Sequence, residues 1–234
     1  MEGIPDCPAG LSIRIATMPL LAATGQPDHA TDWFSSASGR ALLLSEFDAL
    51  RHALGERPGQ PWMWLAPMLS DIELEGHGLR MRKAGSEWHG SIHCQLPLPL
   101  ANESMATVVL QHVARGNVHG RALFQECARV LVPGGRLWLL VLNPLAPYRW
   151  RWKGSGLTAA EPMLWRRRLR AAGLHPDPVS QGIGPRWRIQ AASDLQHGPG
   201  LRAAYVLRAE KKSLPLTPLR TRAAMRVGEG LPTT

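Results

Sequence analysis

The chain has 234 residues, 44% of them apolar, which is enough to build the core of one α/β domain. Lys and Arg number 27 against 18 Asp and Glu, a formal charge of +9 that favours an acidic or polyanionic partner without naming one. Three widely spaced cysteines, Cys7, Cys94 and Cys127, argue against a disulfide framework and a zinc site and suit a reducing, cytoplasmic setting.

Residues 1–30 and 211–234, the latter with repeated Leu-Pro and Thr-Pro, are expected to be flexible ends around a domain at 31–210. Leu11 to Ala23 is apolar, but Arg14 interrupts it, acids precede it, and it is shorter than the ~20 residues of a membrane span, so neither a span nor a signal peptide is expected. Asp32 can cap a first helix whose stripe is Leu43, Phe47, Leu50 and Leu54, ending at Gly55 and Pro58. Pro61 to Pro67 is short, apolar and bounded by prolines, the pattern of a first strand. Leu79–Arg82, Ser91–Cys94 and Thr107–Leu110 follow as strands two to four.

Leu123, Phe124, Cys127, Ala128, Val130 and Leu131 share a helical face, and Pro133-Gly134-Gly135 stop that helix in a reversal. The run Leu137 to Leu142 has no polar residue and suits a strand covered on both faces. Tyr148 to Gly154 reads as a basic, tryptophan-rich loop. Thr158 to Glu161 has the spacing of a capping box for a helix that Gly173 closes. Val179–Ile183, Trp187–Gln190 and Leu201–Ala209 supply closing strands, the last pair antiparallel.

Arg129-Val130-Leu131-Val132-Pro133-Gly134-Gly135-Arg136-Leu137, with Leu96-Pro97-Leu98-Pro99-Leu100 and the run through Ser104, Val108, Val109 and His112 upstream of it, resembles a signature of the class I S-adenosylmethionine-dependent methyltransferases called type 11. The resemblance covers roughly Trp33 to Ala209 and is strongest at 96–143. It implies a Rossmann-like, mostly parallel seven-stranded sheet with helices on both faces, its last strands forming an antiparallel hairpin. It also implies S-adenosylmethionine as cofactor.

Three features depart from the family pattern. The turn after strand one, Ala66-Pro67-Met68-Leu69-Ser70-Asp71, has no glycine; Arg80, Arg82 and Lys83 stand where an acid would accept from the ribose; and Ala106 replaces an Asp. Cofactor contacts then fall to Ala66, Pro67, Gln95, Leu96, Pro97 and Gln111, most of them through backbone groups. His112, just past strand four at the edge where open α/β sheets place ligands, is the candidate general base. Asn143 closes strand five at that rim. Arg149, Trp150, Arg151 and Trp152 alternate cation and aromatic ring, a pattern that stacks bases and holds phosphates. The other histidines show no metal-ligand spacing. The leading expectation is methylation of a small or anionic acceptor. A binding or regulatory protein on a decayed methyltransferase scaffold, and a basic nucleic-acid binder using the Arg-Trp segment, stand as alternatives.

Overall fold

The computed structural model describes residues 29–69, 76–115 and 118–212; Cys7, Ser70, Asp71 and most of both expected flexible ends lie outside these. In chain order the elements are α1 (His29–Phe34), α2 (Ala37–Ser45), α3 (Phe47–Gly55), β1 (Trp62–Ala66), β2 (Gly78–Ala84), β3 (Glu87–Gly90), β4 (Met105–Gln111), α4 (Val118–Val130), β5 (Leu131–Leu142), a 3-10 helix (Pro147–Arg151), α5 (Pro162–Ala171), β6 (His175–Pro176), β7 (Gln181–Ile183), β8 (Gln196–His197) and β9 (Ala204–Glu210).

β1 and β4 are buried at every residue, as is β5 from Leu137 to Leu142, so both faces of the sheet centre are covered. Side chains alternate between two cores. Met63, Leu65, Val108, Leu110, Leu137, Leu139 and Val141 meet Phe124 and Cys127 of α4 and Trp165 and Leu169 of α5. Trp62, Trp64, Val109, Trp138, Leu140 and Leu142 meet Phe34, Leu42, Leu50 and Leu54 of the N-terminal helices. The strand order is β3-β2-β1-β4-β5-β9-β7-β8, with β6 on β9. β1 runs parallel to β2 and β4, and β4 to β5, while β9 is antiparallel to both β5 and β7. This is the expected Rossmann-like α/β sheet with antiparallel closing strands, and β6 and β8 add two short pieces.

Several local expectations change. The single first helix is three, because the buried positions Ala41, Leu42 and Ser45 belong to one short helix and Ala49, Leu50, Ala53 and Leu54 to the next. Ser36 caps α2 by accepting from the Gly39 N–H at 3.1 Å, a role the sequence reading gave to Asp32. Strand three lies at Glu87–Gly90, not Ser91–Cys94, and pairs antiparallel with β2. Gly85, at φ +61°, supplies the left-handed residue that this tight hairpin turn requires. The Pro-Gly-Gly unit is a bulge inside β5 and not a turn before it: Met105 faces Leu131 and the register then jumps to Thr107 opposite Arg136. Gly134 sits at φ +75° there. No capping box forms at Thr158, since α5 starts at Pro162 with Glu161 as a cap that makes no side-chain bond. The 187–190 segment joins no strand and exposes Trp187 and Ile189.

Leu139→Ala removes a fully buried side chain from the central strand. It should lower the unfolding free energy by about 2–5 kcal/mol, read as a fall in the urea midpoint at unchanged slope.

Candidate functional site

The parallel strands end at Ala66, Ala84, Gln111 and Leu142, and ligands of open α/β sheets bind outside such carboxyl ends. A cleft of about 450 Å³ lies at this edge on the α4 side, between the ends of β2 and β4. Trp88, Leu96, Val113 and Leu123 give it apolar walls; Ser86 and Gln95 give it hydrogen-bonding groups; Lys83, Arg115 and His119 give it basic ones. Among the described residues no carboxylate lines it.

One arginine organises the rim that carries Gln95 and Leu96. Arg129, near the end of α4, donates to Leu98 O at 2.9 Å, Leu100 O at 2.7 Å and Asn102 Oδ1 at 2.8 Å, and pairs with Glu126 at 2.8 Å. Glu126 in turn accepts from the Leu98 N–H at 2.9 Å. The hydrogen bond from Arg129 holds the Glu126 carboxyl below its usual range, and the same pair raises the Arg129 guanidinium.

A second construction lies in the other core, where the sheet meets the N-terminal helices. Glu46 is wholly buried; its Oε2 accepts from Gln111 Nε2 at 2.8 Å and its Oε1 lies 2.8 Å from His112 Nε2. Gln111 Oε1 accepts from Trp64 Nε1 at 3.1 Å. The His112 ring stacks on Phe34 with centroids 5.1 Å apart, its side chain is 1% exposed, and its backbone is left-handed at φ +53°. Among the described residues Nδ1 has no partner. A non-glycine residue held in this region, with an orphaned ring nitrogen, is over-determined by its neighbours.

The residues singled out from the sequence therefore separate. Gln95 and Leu96 line the cleft, with Pro97 exposed next to them after a cis peptide bond. Ala66 and Pro67 are buried at the end of β1, Ala66 in the core beneath the N-terminal helices. Gln111 and His112 are engaged with Glu46, so neither side chain faces an open cleft. Asn143 is also internal: its Nδ2 donates to Pro199 O, Gly200 O and Arg202 O, and its Oδ1 accepts from the Leu145 N–H. Trp152 is buried against Trp33 and Tyr148, while the Arg151 carbonyl accepts from Trp33 Nε1 at 2.8 Å. Trp150 is 61% exposed, with Lys153 Nζ 4.8 Å and the Arg149 guanidinium 5.6 Å from its ring, and these three line a shallow pocket of about 330 Å³. Sequence reading missed Glu46 and Arg129. Glu46 was detectable, since Leu42, Glu46 and Leu50 are spaced by four and place a carboxylate in the apolar stripe.

Neither a family model nor a curated protein sequence matches this chain. Solved structures do. A SAM-dependent methyltransferase from Thermotoga maritima is similar over 79% of this chain and 99% of its own, at 14% identity and TM-score 0.52. The methyltransferase in a complex with the Haloferax volcanii Trm112 methyltransferase activator is similar over 81% of this chain and 100% of its own, at 14% identity and TM-score 0.53. The chain has the class I methyltransferase fold.

Glu46→Ala and His112→Ala should each cost about 1–3 kcal/mol of stability, because each leaves a buried partner unsatisfied; the double variant should lose less than the sum in a denaturation cycle. A pH effect follows from Glu126. Its folded pKa is lowered, so the Arg129 clamp stabilises fully above the unfolded carboxyl pKa and is lost as pH falls through the lower folded value. Proteolytic nicking of residues 95–102 should rise over that acid window, and Arg129→Ala should show the raised nicking already at neutral pH.

Proposed function

We propose that the chain is an S-adenosylmethionine-dependent methyltransferase and that the cleft between β2, β4 and α4 holds the donor. The observation that carries this reading is the position of a cleft of ligand size at the carboxyl edge of a sheet with the methyltransferase strand order. The lining fits the molecule in parts. Leu96, Val113, Leu123 and Trp88 suit an adenine ring; Ser86 and the Gln95 carbonyl suit ribose hydroxyls; Lys83 and Arg115 suit a carboxylate. Gln95 Nε2 donates to Glu87 Oε1 at 3.0 Å, which turns the amide so that its oxygen is the remaining acceptor.

When bound, the donor supplies an electrophilic methyl group on a sulfonium, and the protein's part is to hold donor and nucleophile in line and exclude water. Arg129 serves this by fixing the rim that carries Gln95 and Leu96. His112 is a positioning residue: its buried bond to Glu46 ties the N-terminal helices to the end of β4. The acceptor is a small or anionic molecule, for which the Arg149, Trp150 and Lys153 pocket offers charge and one flat aromatic face. With Trp152 buried, the Arg-Trp run presents a single stacking ring, which disfavours the nucleic-acid reading.

In titration calorimetry S-adenosylmethionine and its demethylated product, S-adenosylhomocysteine, should both give saturable heat, and Lys83→Gln should weaken both, as loss of a carboxylate contact requires. Gln95→Ala should weaken both ligands. If neither gives saturable heat at millimolar concentration, the decayed-scaffold reading replaces this one.

A further inference from the structure

The β2–β3 hairpin gathers three ligand-type side chains at the edge of the sheet. Glu87 and His89 are two residues apart on β3 and project from one face. The chain then folds back, with Trp88 and Cys94 exchanging backbone hydrogen bonds, and this return sets His93 beside them. His93 Nε2 lies 2.9 Å and His89 Nε2 3.4 Å from the same oxygen, Glu87 Oε2. The two imidazole rings are 4.2 Å apart and tilted by 21°, and one ligand atom from each of the three residues falls within 4.8 Å of the others. Ligands about 2.0–2.1 Å from a tetrahedral zinc ion stand about 3.3 Å from one another, so both nitrogen-to-oxygen separations are near a coordination edge. Reading the sequence did not single out these three; the return after Gly90 brings them together.

We propose that Glu87 Oε2, His89 Nε2 and His93 Nε2 bind one divalent transition-metal ion of the zinc type, with water as fourth ligand. Two imidazoles and one carboxylate are a donor set for zinc, nickel or copper rather than for magnesium or calcium, which take oxygen ligands. Glu87 is suited to the role on two counts. Its Oε2 is the atom that both imidazole nitrogens approach. Its other oxygen, Oε1, accepts from Gln95, the kind of outer contact that orients a ligating carboxylate. Arg82 stands opposite His89 in the register, and its exposed side chain reaches into water. Because Gln95 also lines the 450 Å³ cleft, the ion sits one side chain away from it and braces its wall. The site depends on the hairpin alone and not on what the cleft holds.

The test is zinc titration of the full-length, tag-free protein after chelation and dialysis. One ion should bind per chain in the presence of millimolar magnesium, and cobalt substituted for zinc should give the intense visible bands of a four-coordinate centre. Glu87→Gln and His93→Ala should each weaken zinc by tenfold or more, roughly, while His175→Ala on β6 leaves it unchanged. Zinc binding weaker than about 0.1 mM, or equal affinity in the parent protein and both variants, would overturn the assignment.

Discussion

A carboxylate taken wholly out of water must find partners, and Glu46 is where this fold meets that constraint. It lies at the junction of α2 and α3, and its two oxygens are taken up by consecutive residues at the end of β4, Gln111 and His112. Through Gln111 the chain of bonds continues to Trp64 in β1. One buried side chain thus ties the N-terminal helical layer to the two central strands. The left-handed backbone of His112 turns its ring onto Phe34 and Glu46. Apolar contacts alone would hold the same layers together with less positional definition, since dispersion and burial are not directional.

The parts of the fold legible in the sequence are those whose periodicity has only one solution. An all-apolar Leu137–Leu142 run needs two covered faces, and the structure covers it with α4 and α5 on one side and the N-terminal helices on the other. The one-sided stripe of α4 likewise admits little choice. What sequence reading missed depends on events between segments. Whether Pro133-Gly134-Gly135 makes a turn or a bulge is decided by the register of β5 against β4, and strand three moved upstream because Gly85 allowed a hairpin before Ser91 was reached. The capping-box pattern at Thr158 lost to Pro162, whose fixed φ starts the helix four residues later.

The candidate site divides along the same line. Gln95 and Leu96, singled out through the family resemblance, line the cleft. Gln111, His112 and Asn143 sit near the same edge, yet their side chains turn inward and spend their hydrogen bonds on the protein itself. Proximity to the carboxyl ends of strands is a property of the backbone. Availability to a ligand is a property of the neighbours, and for His112 the deciding neighbours, Glu46 and Phe34, come from a distant part of the chain.

The hairpin also settles how the sheet ends. β3 is only Glu87–Gly90, carries a carboxylate and an imidazole along its outer course, and finishes at Gly90 with φ +152°. At the opposite margin β8 is two residues long. Short, polar or kinked margins offer an incoming strand too few aligned amide and carbonyl groups to extend the ladder. A sheet so apolar at its centre is thereby guarded against edge-to-edge aggregation on both flanks.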